Sequence, residues 1–293
     1  LSKVPILQLV QERVVVMDGA MGSLLMSKGL PPGIPLENWN VTHVDVVKNI
    51  HLDYFNAGSD IVLTNTFGGS RLKLTAHKHG DKVEEYNQQA AEIAKEVCPE
   101  QGYVAGDIGP SGKFLPPLGD ATTQMFFDNF EEQASILAKA GIDLFFVETM
   151  VDILEAEAAV KAIRKVCDLP IFASITYQKT KRGYFTVMGN TVEQCSNILE
   201  KAGASIIGAN CTIGSDEMIE LVPLLKGSTT KPVLVKPNAG MPQLIKGETV
   251  YPTTPQDFAE DIKQMVDYGA QIVGGCCGTE PTFIKNITRK LQE

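Results

Sequence analysis

The strongest constraint on this chain is a rhythm of short apolar runs. Val14–Met17, Asp60–Thr64, Tyr103–Gly106, Asp143–Val147, Pro170–Ile175, Ala204–Ala209, Pro232–Lys236 and Gln271–Val273 are apolar almost throughout rather than alternating. Strands of that kind are covered on both faces, as in parallel sheets. Nearly every run is followed by a helix-like stretch: from an Asn40 or Thr42 cap to about Asn56, then about 81–97, 124–140, 152–166, 192–202, 216–225, 257–268 and 281–291. Parallel strands need such crossovers. Eight βα units in roughly 250 residues specify an α/β chain folded as a (β/α)₈ TIM barrel. An open doubly wound sheet is the runner-up. The 293 residues contain no linker or low-complexity stretch, so one barrel domain over residues 1–293 is expected.

Composition removes several classes of partner. A net charge of −9 argues against a nucleic-acid backbone or an anionic membrane as the main partner. No apolar run approaches the roughly 20 residues of a membrane-spanning helix. The segment Leu1–Val16 is broken by Gln8, Gln11, Glu12 and Arg13, unlike the apolar core of a signal peptide. Six cysteines are too sparse for a disulfide scaffold, so a reducing cytoplasm is the expected setting. The chain opens on Leu rather than Met, so a trimmed chain or an excised module is expected.

In a (β/α)₈ barrel the active site forms at the C-terminal ends of the strands. Asp18, Thr66, Asp107, Glu148, Cys211, Asn238, Cys276 and Cys277 all fall at such ends. Side chains alternate along a strand, so the adjacent cysteines Cys276 and Cys277 reach one site only where the strand is ending. Gly274, Gly275 and Gly278 give the backbone freedom to turn there. With Cys211 they suggest a three-thiolate metal site with a fourth position open. Three packed core thiols are the plain alternative. A vicinal disulfide is a strained one, and a phosphate clamp at Val273-Gly274-Gly275 is a further one.

Asp18 and Glu148 read either as a pair that holds an ammonium or as ordinary caps and salt bridges. Gly19-Ala20-Met21-Gly22 offers backbone N–H groups to an anion, or is merely a tight βα turn. Lys236 ends an apolar strand; pairing with a carboxylate is the first expectation and a Schiff-base role the second. Cys98, Cys167 and Cys195 are expected to pack. His43, His51, His77 and His79 are expected at the surface, and Trp39 either lines the mouth or packs.

Seven segments together carry a family resemblance. They are Met17-Asp18-Gly19-Ala20-Met21-Gly22, Thr64-Asn65-Thr66-Phe67-Gly68, Gly106-Asp107-Ile108-Gly109-Pro110, Val147-Glu148-Thr149-Met150, Gly208-Ala209-Asn210-Cys211, Lys236-Pro237-Asn238-Ala239-Gly240 and Gly274-Gly275-Cys276-Cys277-Gly278-Thr279. In this order they resemble the homocysteine S-methyltransferases, and most closely the homocysteine-binding N-terminal module of the cobalamin-dependent methionine synthases. The resemblance spans essentially the whole chain. It implies zinc held by Cys211, Cys276 and Cys277 and a homocysteine amino group held by Asp18 and Glu148. It further implies a substrate carboxylate on the backbone of Gly19 and Ala20, with Asn238 near the metal and Thr66 in the pocket. The implied reaction is methyl transfer to the homocysteine thiol, giving methionine. The implied donor is methylcobalamin on a corrinoid-carrying domain or protein, not bound by this chain alone. Direct use of S-methylmethionine or betaine is the alternative, followed by a non-catalytic zinc or thiol-binding barrel and a phosphate-binding isomerase.

Overall fold

The structure is a computed structural model and describes residues 3–245 and 248–293. All eight apolar runs are strands: β1 Val15–Val16, β2 Ile61–Leu63, β3 Tyr103–Ile108, β4 Leu144–Met150, β5 Ile171–Ile175, β6 Ile206–Gly214, β7 Val233–Asn238 and β8 Ala270–Val273. Every neighbouring pair is parallel, in the order β1-β8-β7-β6-β5-β4-β3-β2. A parallel bridge between Met17 and Ile61 joins the two ends and closes the barrel. The open-sheet alternative is thereby excluded.

Strand alternation sorts the core into two layers. Val15, Met17, Ile61, Leu63, Tyr103, Ala105, Leu144, Phe146, Phe172, Ile206, Leu234 and Ile272 form one cluster, the barrel interior. Ile6 and Val10 of the helix Ile6–Glu12, which precedes β1, join it and floor the barrel. The intervening residues, Val16, Val62, Val104, Phe145, Val147, Ile207, Val235 and Val273, belong to the layer between strands and outer helices.

The outer helices begin where local chemistry caps them. Thr191 and Gln194 make a capping box at Val192–Ala202, and Thr122 and Asp152 cap Thr123–Lys139 and Ile153–Val166. Thr254 caps Pro255–Asp267, with Pro at the first turn where it loses no hydrogen bond. Gly58 ends Val44–Ala57 in the left-handed conformation that glycine adopts without strain.

Two expectations are corrected and one feature is new. Neither Asn40 nor Thr42 caps Val44–Ala57: the Asn40 amide instead donates to the carbonyls of Asn65 and Tyr86. His51 is fully buried rather than exposed, because it lies on the same face of that helix as Val47, Ile50 and Tyr54. Neither of its ring nitrogens has a partner among the described residues, and burial lowers its pKa to about 4. Two hairpins, Gln178–Thr180 with Gly183–Phe185 and Gln243–Ile245 with Glu248–Val250, interrupt the loops after β5 and β7 and were not foreseen. Among the described residues, no helix is long and apolar enough to cross a membrane.

Candidate metal centre and substrate cavity

Above the apolar interior the inward positions turn polar. Two residues beyond Ala105, Phe146, Phe172 and Leu234 stand Asp107, Glu148, Ser174 and Lys236, and four beyond Ile206 stands Asn210. Lys236 Nζ donates to Asp18 Oδ1 at 2.9 Å, with the two side chains 1% and 3% exposed. The Leu63 N–H donates to the other Asp18 oxygen at 2.7 Å. Burial pushes the Asp18 pKa up, and Lys236 pulls it back only in part. Burial opposes the charge on Lys236, but Asp18 and Glu148 outweigh it, so the ammonium stays protonated. The sequence expectation of a carboxylate-paired lysine is what the barrel holds.

Asn210 organises the neighbouring wall. Its amide nitrogen donates to Glu148 Oε2 at 2.8 Å and to Thr149 Oγ1 at 2.7 Å. Its amide oxygen accepts from the Thr149 N–H at 2.8 Å and from Ser174 Oγ at 2.5 Å. Glu148 is thus fixed in orientation, and burial raises its pKa to about 7 against the pull of Lys236. Asp107 is pushed up by burial and by Glu148.

Regular alternation would send Cys211 outward, since its neighbour Asn210 points in. It reaches the mouth because Cys211 and Thr212 adopt φ of 60° and 67°, and the β6–β7 register slips between Asn210 and Gly214. Left-handed conformations cost a non-glycine residue about 1 kcal/mol or more, and a β-branched Thr is a genuine outlier there. Such strain concentrates at functional sites. Thr149, directly after Glu148, is a third case at φ 58°.

Cys276 and Cys277 lie in the turn after β8, as the alternation argument requires. A side chain at Gly275 would place Cβ 2.2 Å from Thr279 Oγ1, and one at Gly274 2.9 Å from the Asp18 carbonyl. The turn is laced to β7. Cys276 N–H donates to the Pro237 carbonyl at 2.8 Å, Cys277 N–H to Asn238 Oδ1 at 3.1 Å, and Ala239 N–H to the Cys277 carbonyl at 3.0 Å.

The sulfurs of Cys211, Cys276 and Cys277 all lie within 4.8 Å of one another, and Cys211 and Cys277 are 3.9 Å apart. Tetrahedral zinc with bonds of about 2.3 Å separates its sulfur ligands by about 3.8 Å, so the donor set fits that metal. All three cysteines are free, half-buried and on the cavity wall. Neither a vicinal disulfide nor core packing describes them. Hydrogen bonds with Cys211 and Cys276 hold the Cys277 pKa down at about 3, while contacts with Cys211 and Cys277 push Cys276 up.

The cavity beside these sulfurs measures about 250 Å³. Asp18, Gly19, Ala20, Asp107, Glu148, Thr149, Lys236 and Tyr251 line it with the three cysteines, and Met21, Met26, Leu36, Leu63 and Phe67 form its apolar side. Two expected pocket residues stand outside that lining. Thr66 is fully buried, its hydroxyl bonded to the Asp107 carbonyl and to Thr64 Oγ1. Asn238 holds the cysteine turn through its Oδ1. Ala20 lines the cavity, but its N–H is donated to the Thr279 carbonyl at 2.9 Å. The sequence places Asp107 at a strand end facing the mouth but gives it no specific role, and it gives none to Asn210, Thr149 or Tyr251. The inward register of β3 and β6 was the available signal for the first two. Cys98, Cys167 and Cys195 lie outside the cavity. A larger cleft of about 930 Å³ runs past Arg13, Asp60, Lys285 and Arg289 at the strands' N-terminal ends, away from all this chemistry.

A closed (β/α)₈ barrel with a thiol cluster and an acidic cavity at the C-terminal strand ends defines a small-molecule enzyme with a sulfur-based site. The family follows from comparison with known proteins. The homocysteine S-methyltransferase family model matches residues 15–291, and the chain belongs to that family. The methionine synthase of Mycobacterium tuberculosis (strain ATCC 25618 / H37Rv) is 34% identical over 300 residues, which cover 96% of this chain and 25% of that protein. The methionine synthase of Mycobacterium leprae (strain TN) is also 34% identical, over 96% of this chain and 24% of its own length. The chain therefore spans about a quarter of the length of these relatives. In fold it matches the metallated form of the homocysteine methyltransferase MmuM from Escherichia coli, with a TM-score of 0.80 at 22% identity, covering 98% and 100% of the two chains.

Proposed function

We propose that the protein transfers a methyl group to the thiol of homocysteine, giving methionine, with zinc held by Cys211, Cys276 and Cys277. The observation that carries this reading is the convergence of three thiols on the wall of a small cavity whose other wall is acidic. Zinc with three thiolate ligands takes a fourth sulfur and keeps it deprotonated at neutral pH, where a free thiol with a pKa near 8.5 is mostly protonated.

The chain's own residues do the rest by positioning. Asp18 and Glu148 receive the substrate ammonium, whose positive charge favours their ionised forms. Asn210 holds Glu148 in place for this contact. The Gly19 N–H, with no acceptor among the described residues, faces the substrate carboxylate, whereas Ala20 contributes its Cβ to the wall. Asn238 sets the position of Cys277, and Thr66 fixes the β3 end beneath the cavity. Met21, Leu36 and Phe67 exclude water around the substrate's aliphatic chain.

The donor in this reading is methylcobalamin on a corrinoid-carrying domain or protein. The support is the similarity to proteins named methionine synthase of which this chain spans only about a quarter. A betaine donor needs aromatic faces around its methylated cation, and Phe67 and Tyr251 are the only aromatic residues among those lining the cavity. The test is methionine formation from homocysteine with methylcobalamin, S-methylmethionine or betaine, each with and without a chelator. Zinc-dependent turnover with methylcobalamin supports the reading; turnover that survives complete zinc removal refutes it.

A further inference from the structure

Asp107 is a buried carboxylate with an unanswered oxygen. It follows Ala105 on the inward face of β3, is 4% exposed and lines the cavity, yet its Oδ1 has no hydrogen-bond donor among the described residues. Orphaned buried polar atoms are rare in folded proteins and call for a reason. The charge balance of the cavity supplies one. Three carboxylates line it, Asp18, Asp107 and Glu148, and Lys236 is the only cation among the lining residues. Lys236 is in contact with Asp18. Asp107 and Glu148 stand on the adjacent strands β3 and β4, where Asp107 pairs with Phe146 two residues before Glu148. Among the described residues neither Asp107 nor Glu148 has a cation in salt-bridge contact, and buried charges are normally paired.

We propose that Asp107 is a third substrate-binding carboxylate, whose free Oδ1 accepts one N–H of the substrate ammonium. With Asp18 and Glu148 it matches one acceptor to each of the three N–H donors of a primary ammonium. Asp18 retains acceptor capacity for this contact, because a carboxylate offers about four lone-pair sites and two are in use. The inference rests on the homocysteine reading above and extends it. Burial and Glu148 disfavour the ionised form of Asp107, and the substrate ammonium offsets both by favouring that charged, accepting form. The cavity thereby selects α-amino thiols over thiols of equal length that lack the amine.

The experiment is titration calorimetry on the zinc-loaded full chain, wild type against Asp107→Asn, with L-homocysteine and with 4-mercaptobutanoate, which keeps the thiol and carboxylate but has no amine. Wild type should prefer homocysteine. Asp107→Asn should bind homocysteine about 10- to 100-fold more weakly, the range for one charge-assisted hydrogen bond. Its affinity for 4-mercaptobutanoate should be unchanged or improved. Asp107→Ser, read by the same ratio of affinities, carries the test should the Asn variant not fold. A variant that keeps the wild-type preference, or weakens on both ligands equally, overturns the proposal and leaves the homocysteine reading standing. Wild type that binds neither thiol overturns both.

Discussion

Replacing Lys236 by Met removes the only cation among the described residues lining the cavity while keeping most of the stem's volume. In the native barrel Lys236 and Asp18 meet at 2.9 Å and are almost wholly buried, so water cannot replace the lost partner. Deleting one member of such a buried pair costs about 3–5 kcal/mol. For a chain of 293 residues that corresponds to a fall in Tm of roughly 5–8 °C. The deficit also has a pH signature. Burial already raises Asp18 above its ordinary value, and Lys236 is the main force pulling it back. Without Lys236 the folded pKa rises further above the unfolded one. The stability penalty is then absent below the unfolded pKa and grows as pH rises through the folded one. Lys236→Met should therefore trail wild type less at pH 5 than at pH 8. Urea unfolding followed by far-UV dichroism and by the fluorescence of Trp39, the only tryptophan, measures this. Trp39 is buried and stacked on His43 at 4.3 Å, so it reports on the first βα loop. The double variant Lys236→Met/Asp18→Asn should recover about 2 kcal/mol or more relative to Lys236→Met alone. A loss under about 1 kcal/mol, the range of exposed pairs, or strict additivity in the double variant, would refute the buried-pair argument.

Cys276→Ala should fail to retain zinc through gel filtration and should lose homocysteine binding at the same time; metal analysis beside calorimetry checks both, and zinc retained at the wild-type level contradicts the ligand set. Asn210→Ala removes four hydrogen bonds around Glu148, Thr149 and Ser174 and should destabilise the fold by about 2–4 kcal/mol while weakening homocysteine binding. His51 has a folded pKa of about 4 against an ordinary value of 6.5, so the unfolded chain binds the proton more tightly and stability falls as pH drops through that window. At pH 5 the loss amounts to about 2 kcal/mol relative to pH 8, and His51→Leu should abolish that share of the pH dependence in urea titrations.

Much of the site was legible because a barrel turns chain position into spatial position. Once eight βα units were recognised, Asp18, Glu148, Cys211, Cys276 and Cys277 at strand ends had one mouth to face, and all five line one cavity. Asp107, also at a strand end, lines the same cavity, and Asn210 is reached by carrying strand alternation past the apolar layer from Ile206. His51 was misplaced because it was read as a polar residue and not as one position on a helical face already marked by Val47, Ile50 and Tyr54. Thr66 and Asn238 sit at strand ends as expected, but strand position does not say whether a side chain points at a ligand or at a neighbouring carbonyl or N–H.

The barrel is legible in the chain alone, because wholly apolar strands followed by capped amphipathic helices have few other ways to bury both faces. The place of the thiols is legible there too, because two adjacent cysteines share a site only beyond a strand's end. Tertiary structure alone decided two things. Cys211 turns inward through a left-handed kink that no local propensity of Cys or Thr predicts, held by the slipped register against β7. Lys236 takes Asp18 as its partner across 218 residues of sequence and leaves Asp107 unpaired, because a carboxylate's charge is balanced by whatever the closed barrel brings beside it.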